Sequence, residues 1–130
     1  MEAKIKHLEF IQATINRMAG NSFLLKGWAV TLVGALLALS FKETSFLYVV
    51  ISVAVLYSFW FLDGYYLSRE RIFIRLYDHV RVQSNASIDF SMDTQLFSSG
   101  ISWIGCALSR TIVLFYGGLL LAHLIIIIAL

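Results

Sequence analysis

The residues of this sequence that could do chemistry are three histidines, one cysteine and a few charges set in apolar runs. His7, His79 and His123 share no helical ligand spacing with one another, so a paired-histidine metal or haem site within one protomer is not expected. The one cysteine, Cys106, reads as a small apolar filler. No glycine-rich phosphate loop, H-E-x-x-H pair or serine elbow occurs. Neither a catalytic residue nor a cofactor is expected, and the chain does not read as an enzyme. Two charges stand out, Lys26 and Asp63, each at the edge of an apolar run. In an antiparallel hairpin centred between Thr44 and Ser45, residues whose numbers sum to about 89 lie at equal depth, and 26 plus 63 is 89. The expectation is an ion pair that clasps the hairpin. Independent snorkelling, or a gating pair that breaks on activation, are the other readings of a charge in lipid.

Milder polar residues complete the candidates. His123 is expected as a neutral imidazole bonded to a hydroxyl or carbonyl in the bundle; the functional reading has it facing a pore or a partner subunit. Thr31, Ser40, Ser52, Tyr57 and Ser58 are the remaining residues able to line a path or to pack. Arg69, Arg71, Arg75 and Arg81 make a basic face. Topology determination explains it, with anionic lipid, nucleotide or nucleic acid as functional readings. A net charge of +2 is too small to argue for nucleic acid, and none is expected as a partner. Arg75 and His79 enclose three residues, one fewer than the pattern of HEPN-type ribonucleases, so that chemistry is rejected.

The elements that must position these residues follow from hydropathy. Of 130 residues, 59% are hydrophobic and 14% charged, with a mean hydropathy of +0.80, against about 25% charged in soluble domains. So few charges cannot cover the surface of a soluble fold, and lipid must supply much of the outside. The expected fold is an all-α integral membrane protein: a transmembrane helical hairpin plus a third span, with cytoplasmic amphipathic helices. Within one domain, residues 1–20 read as an amphipathic helix through Leu8, Ile11, Ile15 and Met18, stopped by Gly20 and Asn21. Residues 22–41 are the first span and 46–63 the second, joined by a four-residue turn. Residues 64–83 extend the second span as a helix, with Tyr66, Phe73, Leu76, Tyr77 and Val80 on its apolar face. Arg75 and Arg81 are each three residues from Asp78 and are expected to pair with it. Residues 84–100 read as a loop with a short extended piece at Ile88 to Met92. Residues 101–130 are an interfacial lead-in anchored by Trp103, then the third span. A signal peptide is the competing reading of the first run, but the segment before it is long and patterned for a signal's charged region.

Nine of the ten basic residues fall on one side of a three-span arrangement and only Lys42 on the other, which places the N-terminus in the cytoplasm and Leu130 on the far side. The apolar face from Tyr66 to Val80 exceeds what one short N-terminal helix can cover. It is therefore expected to meet another copy, most simply in a ring, or a partner protein. Gly34 with Ala38, and Gly117 with Gly118, allow close approach of helices.

The runs RMAGNSFLLKGW and LDGYYLSRERIFIRLYDHVR, with an amphipathic helix before and a charged helix after, resemble the SLATT-type membrane effectors of bacterial defence loci over about residues 5–83. That resemblance implies a multi-pass bacterial inner-membrane protein that perforates the bilayer when a sensor partner signals. It carries no catalytic residues across. The expected function is thus a homo-oligomeric effector or channel that perturbs the inner membrane when triggered, as in phage defence. The alternative is a non-catalytic membrane scaffold or regulatory subunit that recruits a cytoplasmic partner.

Overall fold

The computed structural model describes residues 2–43 and 45–129; Met1, Thr44 in the expected turn and Leu130 lie outside them. Among the described residues there is no strand. Two long helices, α1 (Glu2–Glu43) and α2 (Phe46–Arg81), form an antiparallel hairpin. Two 3-10 turns follow, at Asn85–Ser87 and Gln95–Phe97, then a short α3 (Trp103–Ala107) and α4 (Arg110–Ala129). Three of the helices, α1, α2 and α4, are long and apolar enough to cross a membrane.

At 1.5 Å per residue, the 42 residues of α1 extend about 63 Å and the 36 of α2 about 54 Å, against about 30 Å for a hydrocarbon core. The expected stop at Gly20 and Asn21 does not occur: α1 runs through both. Glycine inside a helix costs about 1 kcal/mol relative to alanine and asparagine about 0.7, and those local costs are outweighed by the inner face on either side. Ile11 and Ile15 before the pair, and Ala29, Val33 and Leu37 after it, all pack inside the fold. The helix therefore continues to keep both sets buried.

The core has two parts. At the apolar end Ala29, Val33 and Leu37 of α1 meet Leu56 of α2 and Ile112 and Tyr116 of α4. At the other end, here called the head, Ile11 and Ile15 meet Phe73, Leu76 and Val80, and the chain after α2 adds Ile88, Met92 and Phe97. Between them lies a polar layer. Ile88 to Met92 forms no strand; Phe90 adopts φ of 55° and its ring lies against His7 and Phe10 of α1.

The head connection is fastened to α2 by single directed contacts. Ser102 caps α3 by accepting from the Gly105 N–H at 2.9 Å. The Trp103 indole donates to the Phe61 carbonyl at 2.7 Å, and the Trp60 indole to the Ala107 carbonyl at 2.7 Å. Ala107 seats directly on Gly64, where a Cβ would stand 2.6 Å from the Ala107 Cβ and 2.9 Å from its Cα. Only glycine permits that approach.

Candidate functional site: a polar layer between two cores

Antiparallel packing of α1 on α2 brings Lys26 and Asp63 to one level. Lys26 Nζ donates to Asp63 Oδ2 at 2.6 Å and to Ser22 Oγ at 2.8 Å. Ser22 Oγ in turn donates to Asp63 Oδ1. Both carboxylate oxygens are thus bonded, as a charge with no exposure requires. The Lys26 side chain keeps 27% of its surface exposed, so the pair is buried on one side only. The Tyr116 hydroxyl, from α4, is buried with no hydrogen-bond partner. Ser22 was not among the expected site residues; its position four before Lys26, one helical turn away, was the available signal.

An open cleft of about 320 Å³ adjoins this layer, lined by Ser22, Lys26, Glu70 and Thr111 among others. Glu70 lies two turns from Asp63 on α2. Burial pushes its carboxyl above the ordinary range; the charge of Asp63 adds to that, while Arg71 and Lys26 oppose it.

The polar residues of the spans separate into two groups. Ser52 and His123 are buried together: His123 Nδ1 lies 2.7 Å from the Leu119 carbonyl and Nε2 lies 2.7 Å from Ser52 Oγ. A carbonyl only accepts, so Nδ1 carries a hydrogen; with the ring in the neutral form, Nε2 is then the acceptor of the Ser52 hydroxyl. Ser40 is also buried and donates to the Leu37 carbonyl. Of the two roles expected for these residues, to line a path or to pack, the single chain shows packing for Ser40, Ser52 and His123, and His123 has the hydroxyl and carbonyl contacts expected of it. Thr31, Tyr57 and Ser58 remain exposed. Thr31 and Ser58 donate to carbonyls one turn back, at Gly27 and Ala54, and Tyr57 stacks on Trp60.

The apolar face of the head requires a correction. Phe73, Leu76 and Val80 are buried within the chain, and Tyr66 and Tyr77 are half-buried, so these residues are no open surface awaiting another copy. The reason is the unbroken α1: its first half lies alongside α2, and the connection folds back with Ile88, Met92 and Phe97 to cover what α1 leaves.

The basic face is likewise mostly engaged. Arg69 lies over the Phe73 ring and donates to Thr94 Oγ1 at 3.3 Å, and Arg71 reaches the buried Cys106 sulfur at 3.6 Å. Arg75 donates to the Phe97 carbonyl at 3.2 Å and to that of Ser99. The expected contact of Arg75 with Asp78 is not made, because the backbone carbonyls of the connection hold the guanidinium. Arg81 approaches Asp78 at 3.9 Å on the surface. Among the described residues no three histidine, cysteine or acidic side chains gather as a metal-ligand set. No family model, curated protein or solved structure matches the chain.

Proposed function

We propose that the chain is a homo-oligomeric membrane protein, an effector or channel of a bacterial inner membrane, in which any path across the bilayer runs between protomers. The observation that carries this reading is a row of glycines on α1 with nothing to explain them inside one chain. Gly20, Gly27 and Gly34 recur every seven residues, and a Cβ at each would meet only open space. Each costs about 1 kcal/mol of helix stability relative to alanine. At 100° per residue, they share one face with the exposed Thr31 and Ala38, about 140° away from the face that packs on α2. Small residues at such intervals let two helices approach closely; Gly27 and Gly34 fall within the first span, where association in lipid depends on packing and interhelical contacts, and Gly20 continues the row just outside it. Gly117 and Gly118 of α4 also face open space and offer a second contact.

In this arrangement the basic head lies in the cytoplasm, following the bias of lysine and arginine. Thr31 is the polar side chain nearest the contact, so a path there is narrow and largely apolar, of the kind that gates by dewetting. The polar layer then marks the level at which the hairpin leaves the bilayer. A scaffolding role is the second reading. It draws on Leu96 and Val82, which are 89% and 75% exposed at the head and would suit a docked partner.

Purified protein in mild detergent and in liposomes tests the first reading. A discrete oligomer is expected by mass-resolved chromatography, with dye or ion flux from loaded liposomes. Gly27→Leu with Gly34→Leu should yield a helical monomer without flux. A monomeric wild type, or an oligomer indifferent to both substitutions, overturns the association face.

A further inference from the structure

The head holds a second polar site, independent of the layer between the cores and of the association face. A cleft of about 130 Å³ lies where the connection folds over α1 and α2. Its polar lining is His7 from α1, His79 and Gln83 from the end of α2 and beyond, and Asp89, Ser91 and Asp93 from the connection. Leu76 and Val80 form its apolar base, and Leu96 stands at its edge. No lysine or arginine lines it, so the two carboxylates set its charge.

Hydrogen bonding within the fold leaves acceptors there unused. Asp89 Oδ1 accepts from the Ser91 N–H, and Asp93 Oδ1 from the Gln95 N–H, both at 3.0 Å. Each carboxylate keeps Oδ2. His7 is 1% exposed; its Nε2 lies 2.8 Å from the Ser91 carbonyl and so donates to it. Its Nδ1 is buried without a partner. In the neutral ring that nitrogen is an acceptor, and a buried acceptor left unsatisfied costs about 1–3 kcal/mol. On the far side, His79 Nε2 and Gln83 Nε2 are 3.0 Å apart, which leaves the Gln83 carbonyl oxygen free to accept.

We propose that this cleft binds a small organic cation, an ammonium or guanidinium group on a short alkyl stem. The group donates several N–H bonds, which matches a cleft that offers the exposed carboxylates of Asp89 and Asp93 and the Gln83 carbonyl as acceptors, with His7, whose Nδ1 is buried without a partner, in its lining. The stem lies on Leu76 and Val80 and covers Leu96, which is otherwise 89% exposed. An inorganic anion meets two carboxylates with no cation beside them. A divalent metal finds no set of three ligands among the described residues. Because the connection supplies both carboxylates and α1 supplies His7, a ligand seated here ties the connection to the hairpin.

The full chain in detergent is titrated with agmatine and with putrescine, reading thermal unfolding and binding heat. A capped tripeptide with a central arginine separates a free amine from a protein side chain as the source; phosphate and Zn²⁺ are the opposing probes. A saturable rise in melting temperature with an amine or guanidinium probe is expected, weakening as salt is raised. Asp89→Asn with Asp93→Asn should reduce affinity at least tenfold while the helical signal stays unchanged. His7→Gln, which keeps a donor for Ser91, should also weaken binding. Should the double variant not fold, the salt dependence of the wild type and the single Asp93→Asn change give the same reading. No saturable binding of any cationic probe, binding indifferent to both aspartates, or tighter binding of phosphate or Zn²⁺ at these residues overturns the proposal. Loss of liposome flux with intact amine binding leaves it standing.

Discussion

Removing either partner of the Lys26–Asp63 pair strands the other, but the two are stranded unequally. Asp63 has no exposed surface, whereas a quarter of the Lys26 side chain is open and its stem is long. After Asp63→Asn the ammonium can swing toward water while keeping Ser22. After Lys26→Met the carboxylate keeps only the Ser22 hydroxyl and cannot move out. Breaking a buried pair from one side costs about 3–5 kcal/mol. Lys26→Met should therefore fall in that range, and Asp63→Asn nearer about 1–3 kcal/mol, the cost of an unsatisfied group that retains some solvent. The double variant removes both charges and should lose less than the sum, leaving a coupling of about 2 kcal/mol, inside the span for contacting residues. Reversible unfolding in mixed micelles, followed by helical circular dichroism, gives all four corners of the cycle. Exchanging the two residues should restore part of the loss. A coupling below about 0.5 kcal/mol, or a greater loss for Asp63→Asn than for Lys26→Met, would refute the claim that the pair clasps the hairpin from its buried side.

Gly64→Ala should destabilise by about 1–3 kcal/mol, the range for an overpacked contact, because the added methyl meets Ala107 at 2.6 Å; chemical unfolding of the purified variant measures it. Burial holds the Glu70 carboxyl above its ordinary range, so the folded state binds that proton more tightly than the unfolded chain. Its contribution is present at acid pH and is lost as pH rises through the raised value. Glu70→Gln should flatten that slope and raise stability at neutral pH, read from melting temperatures across pH. A reporter fused after Leu130 and one inserted near Ser87 should lie on opposite sides of the membrane, and finding both on one side would refute three spans.

The hairpin was legible because its evidence is periodic and redundant: two apolar runs, a short connection and one pair of charges at matching depth. The head was legible only in part. Gly20 and Asn21 carry a local stop signal, whereas the decision to continue rests on Ile11 and Ile15 finding Phe73, Leu76 and Val80 some sixty residues away. Once α1 continues, the face read as open becomes core, which is why both expectations failed together. The placement of α3 depends on two indole N–H bonds to backbone carbonyls and on one missing methyl group at Gly64. None of these has a sequence period. His7 could be flagged as a lone histidine on an apolar face, but its contact with Ser91 required the folded connection.

The unbroken course of α1 also has a mechanical meaning. From Glu2 to Lys26 is 24 residues, about 36 Å, and from Lys26 to Glu43 is 17 residues, about 26 Å. A rod without a joint that pivots at Lys26 turns as one piece. Rotating it by 5° displaces the head by about 3 Å and the opposite end by about 2 Å in the contrary sense, by the same rise per residue. Tilt applied at the N-terminus therefore reaches the far end of the first run as sideways travel, with no intervening element to absorb it.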